Sequence, residues 1–156
     1  MSRFCWNPNS CEAELNSALH LVASYHGEWI SEKNGDSELL FRRGAENEVK
    51  VTQKNGRWSV EADSVSGFLR GVSHVFAGVE AKETMPFKTL GVMFDCSRNK
   101  VFRLDWMKKT LVKLALMGYN MAMLYTEDTY HLPGEPFFGY MRGAYRMEEL
   151  KELDVF

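Results

Sequence analysis

Within the 156 residues of this chain, one apolar run stops abruptly at groups that can do chemistry. In "GVMFDCSRNK", residues 91–100, Asp95 is followed by Ser97 and Arg98. A carboxylate only accepts hydrogen bonds, whereas a guanidinium presents several donors in a fixed plane and stays charged at any working pH. At one strand end the two can close a loop as an ion pair. Alternatively, the guanidinium holds an oxygen-rich ligand while Asp95 fixes its rotamer, and Asp95 is then expected to support Arg98 rather than touch the ligand. A second apolar run, "NMAMLY", ends in the same way, with Tyr125, Glu127 and Asp128 at its close. Glu127 and Asp128 read as an acid pair, although adjacent residues leaving a strand point in different directions. The segment that follows, "EDTYHLPGEPFFGYMRGAYR", is long, aromatic and rich in Gly and Pro, and loops of that length in compact domains are more often functional than idle. Tyr130, Phe137, Phe138, Tyr140 and Tyr145 are candidates for a wall on which a ligand stacks; packing of the loop is the expectation for most of them.

Other chemistries find little to stand on. His20, His26, His74 and His131 lack metal-ligand spacing, Cys5, Cys11 and Cys96 form no C-x-x-C pair, and no Gly-rich phosphate loop occurs, so neither metal nor cofactor is expected. An apolar strand ending in Asp also opens phosphoryl-transfer enzymes of the haloacid-dehalogenase type, but those need a second Asp two residues on, where this chain has Ser97. A formal charge of -2, from 19 basic and 21 acidic residues, gives no field for nucleic acid or an anionic membrane. The start "MSRFCWNPNS" has no secretory apolar core, and the reduced cysteines fit a cytoplasmic setting. Homo-oligomerisation is left open.

The elements that must position these groups fall into two grammars. In the first, Ser10 is a candidate N-cap for a helix carrying Leu15, Ala18, Leu19 and Val22, with Gly27 past its end. "GEWISEK" and "ELLFRR" read as strands, and Asn55-Gly56 marks a tight hairpin. A two-residue turn there sets Lys54 opposite Arg57, Gln53 opposite Trp58 and Val51 opposite Val60. One face of the hairpin is then core and the other solvent. From Ser64, a second cap candidate, Phe68, Leu69, Val72, Val75, Phe76 and Val79 line another helix. Residues 1–85 thus read as a small α+β domain of helix, antiparallel strands and helix.

Pro86 breaks the pattern, and residues 86–156 read differently. "TLGVMF" is continuously apolar, "LDWMKKTLVKLALMG" is helical with Met107, Leu111, Leu114 and Ala115 on one face, and "NMAMLYT" is apolar again. Strands covered on both faces look like this, and strand, helix, strand predicts a parallel βαβ unit. In parallel α/β sheets, ligand sites lie at the carboxyl ends of the strands, where Asp95, Arg98, Glu127 and Asp128 are placed. Two parallel strands do not make a stable covered sheet, so the chain is expected to be part of a larger protein or to need a partner.

The segment "GVMFDCSRNKVFRLDWMKKTLVKLALMGYNMAMLYTED" resembles the opening of the catalytic barrel of glycoside hydrolase family 20, the β-N-acetylhexosaminidases. The resemblance rests on an Asp-x-Ser-Arg strand end, matched by Asp95, Ser97 and Arg98. After the second strand the family carries an "HLTDDQGWR"-like segment where this chain has "YTEDTYHLPGEPFFGYMRGAY", the mark of a divergent subgroup. The resemblance implies a small α+β domain followed by the first βα units of a TIM barrel. It also implies substrate-assisted retaining hydrolysis of a terminal N-acetylhexosamine, GlcNAc or GalNAc, in which a Glu acts as general acid and a neighbouring Asp steers the acetamido oxygen. That Asp-Glu pair is expected beyond Phe156, so the chain alone should be inactive. Arg98 is implied to hold hydroxyls of the sugar. The alternative is a non-catalytic module that binds a sugar or a protein.

Overall fold

The computed structural model describes residues 3–98 and 101–156. It divides into two compact units, Met1–Leu90 with Val112–Asn120, and Gly91–Leu111 with Met121–Phe156.

In the first unit, β1 (Phe4–Cys5), α1 (Ala13–His26), β2 (Ile30–Ser31), β3 (Ser37–Arg43), β4 (Glu48–Lys54), β5 (Arg57–Ala62), α2 (Val65–Ala77) and β6 (Ala81–Thr84) follow one another. The six strands form one sheet in the order β2-β1-β3-β5-β4-β6. The β4–β5 hairpin has the register its turn dictates: Lys54 pairs with Arg57, Gln53 with Trp58, Thr52 with Ser59, Val51 with Val60 and Lys50 with Glu61. Asn55 (φ 51°) and Gly56 (φ 75°) take the left-handed conformation that a two-residue turn of this kind requires. Val49, Val51, Trp58, Val60 and Ala62 are buried, while on the other face Lys50 Nζ lies 3.3 Å from Glu61 Oε2. Helix α2 packs across β4 and β5 through Phe68, Leu69, Val72 and Val75, with α1 beside it through Leu15, Leu19 and Val22. Each such side chain removed from water contributes roughly 1.5–3 kcal/mol.

Several features depart from the sequence expectations. Ser10 does not cap α1; it closes a single 3-10 turn over Pro8–Ser10, and the helix starts at Ala13 with Glu12 at the N-cap and no capping side chain. Ser64 does cap α2, its hydroxyl accepting from the Gly67 N–H, but Gly78 (φ 69°) ends the helix and leaves the expected face residue Val79 beyond it and exposed. "ELLFRR" is not an antiparallel neighbour of β4: β5 lies between them and pairs with β3 in parallel, Leu39 against Trp58 and Phe41 against Val60. Only Ile30–Ser31 of "GEWISEK" is extended, and it pairs in parallel with Phe4–Cys5, a strand too short to show a pattern. Finally, Ala81–Thr84 forms an edge strand, β6, against β4, after the helix with which the small α+β domain was expected to end.

In the second unit, β7 (Gly91–Asp95) and β8 (Met121–Tyr125) pair in parallel, Gly91 with Met121, Met93 with Met123 and Asp95 with Tyr125. Along the chain, helix α3 (Leu104–Leu116) connects the two strands; its end from Val112 onward, and Gly118 (φ 92°), which turns the chain after it, belong to the first unit. Helix α4 (Met147–Asp154) follows the long loop, and the Glu149 carboxylate accepts from the Arg146 N–H at 2.8 Å. The strands were expected to be covered on both faces. Instead Met93, Met121, Met123 and Tyr125 remain 44–61% exposed, since they share one face with Asp95 and that face is open. Val92, Phe94 and Leu124, on the opposite face, are half-buried.

Candidate functional site

The two parallel strands end in step, so their last residues and the loops beyond them share one rim. Asp95 Oδ1 accepts from the Ser97 N–H at 2.9 Å and from the Ser97 hydroxyl at 2.6 Å. These bonds, the hydroxyl's first and more distantly the Arg98 charge, hold its carboxyl below the usual aspartate range. Ser97 is buried, and through these two bonds to it Asp95 shapes the turn before Arg98. Arg98 itself is exposed and lines a recess of about 220 Å³ with Cys96, Val101, Thr129, Met141, Arg142 and Gly143.

At the end of β8 the two acids diverge, as adjacent residues on an extended chain must. Glu127 sits in the left-handed region (φ 49°), and its Oε1 accepts from the Tyr125 hydroxyl at 3.0 Å. That bond raises the Tyr125 phenol above its ordinary range. Asp128 goes the other way: its Oδ1 is sealed from solvent and stands 3.0 Å from Arg142 Nη1, a charge contact without the alignment of a hydrogen bond.

The aromatic loop residues separate cleanly. Tyr145 is buried, its hydroxyl donating to the Phe102 carbonyl at 2.7 Å, and Tyr130 packs edge to face on Phe138 with ring centres 5.1 Å apart. Phe137 and Tyr140 stand 82% and 65% exposed, and Tyr140 lines a neighbouring hollow of about 460 Å³ together with His131, Glu135 and Arg142. The residue that the sequence did not single out is Arg142. Its Nη2 donates to the main-chain carbonyl of Ser97 and, at 3.4 Å, to that of Arg98. No spacing rule marks it, because its partners lie 44 and 45 positions away.

Among the described residues no group of three or more His, Cys, Asp or Glu is arranged to hold a metal ion, and no helix is long and apolar enough to cross a membrane.

Solved structures with this fold include an exo β-N-acetylglucosaminidase of glycoside hydrolase family 20 from Vibrio harveyi in complex with N-acetylglucosamine. The match has a TM-score of 0.68 at 14% identity, over 98% of this chain and 30% of that one. The family 20 β-N-acetylhexosaminidase of Streptomyces coelicolor A3(2) matches at a TM-score of 0.69 and 16% identity, over 97% and 38% of the two chains. A β-hexosaminidase from Streptomyces plicatus in complex with its product GlcNAc matches at 0.66 and 14%, over 99% and 38%. The chain has the fold of part of a family 20 β-N-acetylhexosaminidase. It spans about a third of the length of the structures it matches. No family model and no curated protein matches the sequence.

Proposed function

We propose that this chain is the leading part of a family 20-type β-N-acetylhexosaminidase, with a small α+β domain over residues 1–85 and the first βα units of a TIM barrel over residues 86–156. In this reading Arg98 holds hydroxyls of a terminal N-acetylhexosamine at the barrel mouth, Asp95 sets the Arg98 turn through Ser97, Glu127 approaches the sugar from the second loop, and Asp128 turns inward to hold Arg142. Hydrolysis would follow the substrate-assisted route, its Asp-Glu pair supplied from further along a longer polypeptide. The observation that carries the reading is the parallel β7–α3–β8 unit, whose polar strand ends gather on one rim above an open apolar face. An open face of methionines suits the inward side of a barrel, whose interior is filled by layers of side chains from the other strands.

The test uses a chromogenic N-acetylglucosaminide. The 156-residue chain should give no turnover, because the general acid, worth on the order of 10² to 10⁴ in rate, is not among its residues. A polypeptide that continues past Phe156 should turn the substrate over, and Arg98→Ala in it should lower kcat/KM by roughly 10- to 100-fold, the value of a hydrogen bond to a charged group of about 1.5–3 kcal/mol. Turnover by the short chain, or an unchanged kcat/KM in Arg98→Ala, would refute the assignment. Sugar binding by a longer polypeptide that never hydrolyses would favour the non-catalytic module.

A further inference from the structure

Arg142 belongs to the returning limb of the loop that follows β8, and its contacts run to both strand-end loops at once. Nη2 donates to the carbonyls of Ser97 and Arg98, while Nη1 meets Asp128 Oδ1 at 3.0 Å. The limb that carries it is held by close fits. Gly139 (φ 71°) lies so near the Asp128 carbonyl that a Cβ there would sit 2.5 Å from that oxygen. Met141 adopts φ 57°, a conformation that a side-chain-bearing residue keeps only when its surroundings impose it. Past Arg142, the Tyr145 N–H donates to the Thr129 carbonyl, and the Tyr145 hydroxyl grips the Phe102 carbonyl beyond Arg98. The return limb therefore clasps the β7 loop on both sides of Arg98 while resting on Asp128.

We propose that Arg142 is a positioning residue that fixes the main chain of Arg98 relative to the Asp128 loop, so that the Arg98 guanidinium is presented to a ligand in the recess it lines. The proposal rests on the reading of Arg98 as a sugar-binding group. An arginine suits the task because its planar fork presents separate N–H donors toward main-chain carbonyls and toward a carboxylate; a lysine offers one flexible point charge. With Arg142 absent, Arg98 would keep its own side chain and lose its placement, and displacements of about 1 Å at a site can cost on the order of 10²-fold.

Two measurements test this. In the 156-residue protein, amide hydrogen exchange at Ser97, whose N–H is bonded to Asp95 Oδ1, should quicken by roughly tenfold or more in Arg142→Met and partly recover in Arg142→Lys. Amides of α2, in the other unit, serve as the folding control and should not change. In the polypeptide that hydrolyses the chromogenic substrate, Arg142→Met should raise KM by roughly tenfold with kcat nearly unchanged, and the same substitution should have no further effect in an Arg98→Ala background. Unchanged exchange at Ser97, or an equal loss in both backgrounds, overturns the proposal. A longer polypeptide inactive before any substitution overturns the sugar reading instead, and the exchange measurement is independent of that outcome.

Discussion

Asp95 and Tyr125 stand directly opposite each other at the ends of β7 and β8, and each is engaged by the residue two positions further along its own chain, Asp95 by Ser97 and Tyr125 by Glu127. The parallel register therefore sets two self-contained turns side by side on the rim. The Asp95 turn is anchored by bonds to the carboxylate form, which lowers its folded pKa below the unfolded value. Its contribution to loop order is present above the unfolded pKa and is lost as pH falls through the folded one. A ¹³C carboxyl titration should place the Asp95 midpoint below that of an unfolded peptide, with the Ser97 amide shift moving in parallel. Ser97→Ala should bring the midpoint up; if it stays put, the hydroxyl is not the anchor.

A second prediction concerns the helix-sheet contact of the first unit. A Cβ built on Gly71 would lie 2.2 Å from Val60 Cγ1, so α2 lies against β5 at a distance only glycine permits. Gly71→Ala gains up to about 1 kcal/mol of helix propensity. It also incurs overpacking of roughly 1–3 kcal/mol, and the net effect should be destabilising. Removing the opposing methyls in Val60→Ala/Gly71→Ala should cost less than the sum of the single changes, as read from urea unfolding. Strict additivity would show that the two positions do not share the space.

How much of this is legible in the sequence differs from element to element. The β4–β5 register followed from Asn55-Gly56, because a two-residue turn leaves one pairing and alternation then assigns every face. The parallel β7–β8 pair followed from two apolar runs bridged by an amphipathic helix. The partner of β3 did not follow, since alternation tells a strand which face is buried and says nothing about which strand lies beside it. Arg142 was illegible for a related reason: its role depends on the path of a loop turned by Gly139 and Met141, which no local pattern encodes.

The loop aromatics give a third prediction, in which burial separates residues that look alike in sequence. Tyr145→Phe leaves the Phe102 carbonyl without its donor at a buried site and should cost about 1–2 kcal/mol in thermal or urea unfolding. Phe137→Ala, at a ring 82% exposed, should change stability by less than about 0.5 kcal/mol. The reverse order would mean that the loop packs on Phe137.

The open face of β7 and β8 allows the barrel reading to be tested apart from any chemistry. Met123 is 50% exposed, beside Met93 in the parallel register, with Met121 on the same face. In the 156-residue chain Met123→Lys trades one exposed side chain for another, so stability should move by less than about 0.5 kcal/mol. If further barrel strands close over this face in a longer polypeptide, the same lysine becomes an unpaired charge in a packed interior, where burial without a partner costs several kcal/mol. Expression, unfolding midpoint and activity of the longer polypeptide should then all fall sharply. Equal tolerance of Met123→Lys in the short and the long chain would mean that no barrel interior forms over these methionines.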